Sequence, residues 1–402
     1  MLYSLFIVIL GLHAFKASGS NSGVFPDAFP FKDGFLGGDA IYSVHIGAER
    51  YVWLYGDTFW NNIPKNMSRT FTPEEFPSNS VGITHVLDGK AEFEYFKGNG
   101  IAPYGLFNHA PSSMVGLSDE QREKLRIWPK DGQLINEKLV VGLVLIVESD
   151  NMFDTLGVDY AQIDNPYASP DKWKVNYIQS LRSSSVFPAT ALTEHGEYLY
   201  SLTTIIKYLE NNQQRQTMAL LRYSSENFDV SKSVPEYYSV DAKWKTLSID
   251  SGTLRITDED TIIDDIKIIS EHGNTEATLH LDDESGKWIM ITSRGLFDRA
   301  TISMLVADSP TGPWSEPMDL IPSYPDSTRG DEDFIEGVFC YAGKGHPQLS
   351  KQFYSDALMI TYACNSFDMD QLLQDNNVYV PKAVIIEDFQ SKIAVASQNH
   401  LR

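Results

Sequence analysis

The chain has 402 residues, 42% of them hydrophobic and 21% charged, the make-up of a folded protein and not of a disordered one. Its 54 acidic residues outweigh 32 basic ones, for a net charge of −22, and no cluster of Lys and Arg stands out, which excludes a nucleic-acid role. The length admits one large all-β domain or two ordinary ones.

The N-terminus reads MLYSLFIVILGLHAFKASGS. Its apolar stretch, about Leu2 to Phe15, fits a signal-peptide core and is short for a membrane span, with Ala17 and Gly19 as small residues for cleavage. No Lys or Arg precedes that core, so an uncleaved anchor is the competing reading. The expected division is a signal peptide over 1–19, one domain over 24–390 and a tail over 391–402. The mature chain is then secreted, with no membrane contact. Asn66-Met67-Ser68 is an N-glycosylation sequon, meaningful if a eukaryotic cell secretes the chain.

Strand-type runs punctuated by Gly, Asp and Asn dominate after residue 30. One layout recurs five times: a first strand, a polar turn and a strongly apolar second strand. The copies are YSVHIGAERYVWLYGDT, DGQLINEKLVVGLVLIV, ATALTEHGEYLYSLTTI, ATLHLDDESGKWIMITS and PQLSKQFYSDALMITYA. Their second strands begin near Tyr51, Leu139, Tyr198, Trp288 and Leu358. Further strands follow in SVGITHVL, AEFEYFK, TMALLRY and ATISMLVA. The expected fold is all-β, a single-domain five-bladed β-propeller, with a pair of β-sandwiches as the alternative.

In such a propeller the first strand of each blade lines the central channel, and the strand starts converge on one mouth. Those starts carry Asp39, Trp128 with Asp131, Ser184 with Ser185 and Phe187, Asn274 with Glu276, and His346. The second strand of the first hairpin returns to the same mouth and ends at Asp57. Asp39 and Asp57 are equidistant from Ala48, so a symmetric turn sets them directly opposite, with Cβ atoms about 4.5–5.5 Å apart. A slip of one residue would put them on opposite faces.

Two close carboxylates cannot both ionise freely, so one keeps a proton near neutral pH. Glycoside hydrolysis needs that asymmetry: an acid for the leaving oxygen and an ionised base or nucleophile. Asp39, Asp57 and Glu276 are therefore the candidate catalytic residues, with Asp131 able to tune them. Trp128, Trp60 and Tyr42 offer ring faces to sugars. Each also has a plain structural reading: turn chemistry for the aspartates, a solvated strand position for Glu276, core packing for His346 and Trp128.

Cys340 and Cys364 fall in neighbouring predicted strands; a disulfide and a pair of buried thiols both fit. No Cys/His spacing suggests zinc, no Gly-rich phosphate loop is present, and no Ser-His-Asp arrangement in a nucleophile elbow occurs. No cofactor is required. A channel cation such as calcium, approached by His346 or Glu276, stays open.

The ordered segments GGDAIYSVHI…YVWLYGDTFW, NSVGI, IWPKDG, SPTGPWSEP, GHPQLS and LMITYACNS resemble a family of secreted five-bladed propellers of largely unassigned function. That family includes mycobacterial-type endo-D-arabinanases, and the resemblance runs from about Gly37 to Lys382. It implies catalytic roles for Asp39 and Asp57 and substrate-facing places for Asn79 and His346. Trp128 and Asp131 at the mouth complete the substrate-binding candidates. The third and fourth inner strands, SSSVFPATAL and NTEATLHLD, depart from the pattern, as do the loops around the mouth, and such loops choose the substrate. The expected partner is a carbohydrate polymer or oligosaccharide, bound by a monomer. The alternative is a propeller that binds a glycan or protein without catalysis.

Overall fold

The computed structural model describes residues 29–399 apart from 62–67, 99–104, 115–116, 150–151, 184, 209–213, 227, 230, 252–254 and 296–299. The expected leader, the sequon at Asn66 and Ser184 lie outside the described residues.

Alternating apolar positions between polar turns give 22 antiparallel strands among the described residues. The first six are β1 (Phe35–Gly38), β2 (Tyr42–His45), β3 (Arg50–Tyr55), β4 (Thr58–Trp60), β5 (Ser80–Leu87) and β6 (Lys90–Phe96). β1 and β4 form a two-stranded ribbon, and the first sheet has the order β2-β3-β5-β6. The second sheet joins β7 (Leu125–Ile135), β8 (Lys138–Ser149), β9 (Met152–Ile163) and β10 (Val175–Leu181). The third joins β11 (Val186–His195), β12 (Tyr198–Tyr208), β13 (Gln214–Ser224), β14 (Glu236–Tyr238) and β15 (Trp244–Thr246). The fourth joins β16 (Ala277–Asp282), β17 (Lys287–Arg294), β18 (Thr301–Ala307) and β19 (Met318–Ile321). The fifth joins β20 (Val338–Gly345), β21 (Ala357–Ser366) and β22 (Pro381–Glu387). Short helices α1 (Asp119–Glu123), α2 (Glu259–Asp265), α3 (Pro347–Phe353), α4 (Met369–Gln374) and α5 (Phe389–Asn399) connect or flank them.

The five expected second strands are β3, β8, β12, β17 and β21, each starting within one residue of its expected place. Continuous apolar runs such as Leu139–Leu143 stay buried on both faces and are legible for that reason. Two expectations fail. PQLS is not a strand: Pro347 opens α3, where its fixed φ and missing N–H suit the first helical turn. The inner strand of the fifth sheet is β20, upstream. The residues expected as a tail carry most of α5, whose Ile393 and Ala396 are buried in the core shared by the fourth and fifth sheets.

Apolar clusters join the sheets in sequence. Leu54 and Val81 of the first sheet share one with Leu139 and Val141 of the second. Val140 and Tyr160 share one with Phe187 and Leu192 of the third, and Leu202 and Met218 with Leu279 and Met290 of the fourth. Ile291 and Met304 pack with Ile360 and Tyr362 of the fifth. Met359 and Ala363 then pack back on Tyr51 and Trp53 of the first. The strands β2, β7, β11, β16 and β20 follow one another as neighbours. No helix among the described residues is long and apolar enough to cross a membrane.

Candidate active site

The first hairpin turns through Gly47, Ala48 and Glu49, all with positive φ. Its pairs Tyr42↔Leu54 through His45↔Tyr51 are centred on Ala48, so the register is the symmetric one. Above Tyr42 the chain bends, because Ala40 and Ile41 are left-handed. Asp39 still meets the other arm: its N–H donates to the Asp57 carbonyl at 3.4 Å, and its own carbonyl accepts from Gly56 N at 3.1 Å. Gly56 has a steric reason to lack a side chain, since a Cβ there would collide with Oδ1 of Asp39.

Both carboxyls are half-buried. Burial, then the charge of Glu276, raises Asp39 to about 6; hydrogen bonds from Tyr341 and Tyr379 oppose that rise. Tyr341 donates to Oδ2 at 2.7 Å. Burial, then the charge of Asp39, raises Asp57 to about 8, although Arg126 nearby and a bond from Trp128 act against it. Trp128 Nε1 donates to Oδ1 at 3.1 Å. At neutral pH burial and mutual repulsion leave the pair sharing a proton.

Asp57 opens on a cleft of about 410 Å³ that Phe59, Phe71, Phe76, Phe153 and Tyr379 line with rings. Arg126 lines it too, tied to Glu148 at 2.7 Å. Trp128 stands edge-on to Phe153, ring centres 5.0 Å apart. Tyr379 holds a left-handed backbone (φ 58), a conformation costly for a bulky residue and one that clusters at functional sites.

The other candidates fare differently. Glu276 accepts from Lys344 Nζ at 3.0 Å, and Lys344 is fully buried. Lys344 also caps the Tyr42 ring, 4.3 Å from its centre, and burial lowers its pKa. Glu276 is therefore half of an ion pair whose charge acts on Asp39. Asp131 is buried, and its oxygens accept the N–H groups of Gly132 and Leu192 at 2.8 Å each, which ties the second sheet to the third. Burial raises it to about 7 against those bonds.

Asn79 and His346 do not face the cleft. Asn79 is fully buried and bridges Phe107 and Ile127 through backbone bonds of 2.7–3.1 Å. His346 is 1% exposed, its Nδ1 2.6 Å from Ser43 Oγ and its Nε2 2.7 Å from Thr361 Oγ1. Burial holds its pKa down to about 3, so it is a neutral link between the first and fifth sheets. Both side chains, expected to face substrate, are taken up by buried partners within the fold. His346 has both ring nitrogens engaged, and Glu276 gives Oε1 to Lys344. Among the described residues one group of three potential metal ligands occurs, Asp326 with Cys340 and Cys364, and a disulfide takes both sulfurs.

Sequence reasoning missed Tyr341, Tyr379, Lys344 and Lys130. Inner-strand irregularities explain much of this: β7 between Pro129 and Gly132, β11 between Phe187 and Ala191, β20 between Tyr341 and Lys344. Such bulges re-aim side chains, so strict alternation misplaces them. Lys130 is buried, donates to Thr190 Oγ1 at 3.1 Å, and burial lowers it to about 8. A signal was present: Lys in the apolar contexts WPKDG and YAGKG.

The chain is similar to several solved structures. A candidate hydrolase from Bacteroides ovatus ATCC 8483 is 16% identical, with a TM-score of 0.64 over 90% of this chain and 88% of that one. A xylan β-1,4-xylosidase from Bacillus halodurans C-125 is 12% identical, TM-score 0.46, over 88% and 52%. The catalytic domain of a Coprinopsis cinerea GH62 α-L-arabinofuranosidase is 10% identical, TM-score 0.44, over 90% and 94%. At 16% identity the first of these shows a common fold. No curated protein matches the sequence. The chain belongs to the DUF5005 family, a domain of unknown function, which it matches over residues 24–389.

Proposed function

We propose that this protein is a secreted glycoside hydrolase built as a five-bladed propeller, with Asp57 as proton donor and Asp39 as its ionised partner. The observation that carries the reading is the placing of two adjoining, half-buried aspartates at the edge of a ring-lined cleft, Asp39 bonded by Tyr341 and Asp57 by Trp128. The propeller reading draws on five sheets in chain order whose clusters pass from each to the next and from the fifth back to the first. Secretion is supported by the Cys340–Cys364 disulfide, since such bonds persist in oxidising compartments.

In this mechanism Asp57 protonates the leaving glycosidic oxygen. Asp39, held as an anion by Tyr341 and Tyr379, acts as base toward water or as nucleophile at the anomeric carbon. Lys344 offsets the charge of Glu276 behind them. The proposed substrate is a furanoside-type polysaccharide, D-arabinan-like, as the resemblance implies.

A second reading, glycan binding without hydrolysis, is favoured by one observation: Asp57 lines the cleft and Asp39 does not. Incubating the mature chain with D-arabinan and a panel of plant and fungal glycans separates the two. Release of reducing ends by the wild type, lost in folded Asp39→Asn and Asp57→Asn, supports the hydrolase. Glycan retention without release, unchanged in both variants, supports the binder.

A further inference from the structure

Among the described residues, the three phenylalanines most open to solvent are gathered in one place. Phe71 is 47% exposed, Phe153 42% and Phe367 68%, whereas Phe35, Phe59 and Phe107 are 0–1% exposed. Phe71 and Phe153 line the cleft beside Asp57. Phe367 lines a second hollow of about 670 Å³, and Ser366 belongs to both. The two hollows flank α4, with Met369 and Leu372 facing the first and Asp370 and Gln371 the second.

Phe367 is held firmly. Its ring stacks on Phe339, centres 4.6 Å apart and planes 26° from parallel. On either side of it, Ser366 Oγ donates to Gln371 Oε1 at 2.7 Å, and Asp368 caps α4 by accepting from Asp370 N at 2.9 Å. A ring so fixed and so exposed costs apolar surface in water, which a bound partner with an apolar face removes.

We infer that the cleft continues over Ser366 into the second hollow, and that Phe367 is a remote stacking subsite for an uncharged sugar unit of a polysaccharide chain. This rests on the reading of the Asp57 cleft as a sugar site. A single glycoside fills only the first hollow, so the geometry points to a polymer bound along its length.

Charge selects among polymers. Glu336, Asp368 and Asp370 line the second hollow and no basic side chain does, so a polyanion meets like charge there. A polycation gains little, because the Asp368 carboxylate is taken up as a helix cap and Glu336 lies 3.5 Å from Arg329. A neutral chain stacks without either penalty.

The test is affinity electrophoresis of the mature chain carrying Asp57→Asn, run through gels holding neutral arabinan or anionic polygalacturonate. Arabinan is expected to retard it, and adding Phe367→Ala is expected to weaken that retardation about fivefold or more. Leu87→Ala, an exposed apolar residue outside both hollows, is expected to leave it unchanged. In the wild-type background Phe367→Ala should raise KM for the polymer while leaving kcat alone. Retardation indifferent to Phe367→Ala, equal retardation by polygalacturonate, or no retardation by arabinan each overturns the inference. Phe367-dependent retardation without any reducing-end release upholds the subsite and removes the hydrolase reading. Release that is indifferent to Phe367→Ala does the reverse.

Discussion

Tyr341 and Asp39 lie 302 positions apart in sequence and 2.7 Å apart in space, phenol to carboxylate. The bond joins the fifth sheet to the first at the candidate acid/base pair. A donor to the charged form lowers a carboxyl pKa, so Tyr341 keeps Asp39 ionised against the effect of its burial.

Removing that hydroxyl gives the first prediction. A hydrogen bond to a charged group contributes about 1.5–3 kcal/mol, and one pKa unit corresponds to about 1.4 kcal/mol. Tyr341→Phe should therefore move the acidic limb of the pH–rate profile up by about one unit and lower activity at pH 6 about fivefold. Circular dichroism should show an unchanged fold. A limb that stays in place sinks the role of Tyr341.

The pair itself predicts a bell. Activity requires Asp39 ionised and Asp57 protonated, so the profile should rise through about 6 and fall through about 8. Initial rates on arabinan from pH 4 to 10 check this. A flat profile across that range counts against both assignments.

Stability is tied to pH by the same groups. A carboxyl whose pKa is raised on folding binds its proton more tightly in the folded state, so its contribution is full below the unfolded value of about 3.9 and is lost as pH climbs through the folded one. For Asp57 that window ends at about 8. The wild type should show a lower urea midpoint at pH 9 than at pH 5, and Asp57→Asn should reduce the difference. An Asn variant with the wild-type difference would mean that other groups set it.

Space beside Asp39 is a separate requirement. Gly56 has no positive φ, so alanine strains nothing in the backbone there, yet its Cβ would collide with Oδ1 of Asp39. Misplacing a reacting group by about 1 Å costs on the order of a hundredfold in rate. Gly56→Ala should accordingly lose activity while binding glycan and melting near the wild-type temperature. Full activity would show that the carboxyl is not held where it is needed.

How much of this was legible in the sequence depends on period. The second strands are near-continuous apolar runs, and their starts at Tyr51, Leu139, Tyr198, Trp288 and Leu358 read directly from hydrophobicity. The hairpin register symmetric about Ala48 also held from Tyr42↔Leu54 to His45↔Tyr51, because three positive-φ residues close that turn. Inner strands read poorly. Bulges in β7, β11 and β20 break the alternation that would have pointed to Lys130 and Lys344. Asn79 and His346 look polar and functional in one dimension. Three dimensions show each saturated by buried partners. Tyr341 carries no local signal, since its partner is on another sheet.

The ion pair behind the site supplies the last prediction. Lys344 is fully buried and Glu276 is 19% exposed, so each depends on the other to offset desolvation. Breaking such a pair from one side costs about 3–5 kcal/mol, whereas replacing both partners by uncharged residues of similar size costs far less. Lys344→Met alone should therefore destabilise strongly, and adding Glu276→Gln should recover much of the loss in urea denaturation. The two single variants should also move Asp39 in opposite senses. The Glu276 charge raises its pKa and the Lys344 charge lowers it, so Glu276→Gln shifts the acidic limb down and Lys344→Met shifts it up. Shifts of the same sign would place the pair too far from Asp39 to act on it. Opposite shifts, with recovery in the double variant, would make the pair the source of the field under which Asp39 ionises.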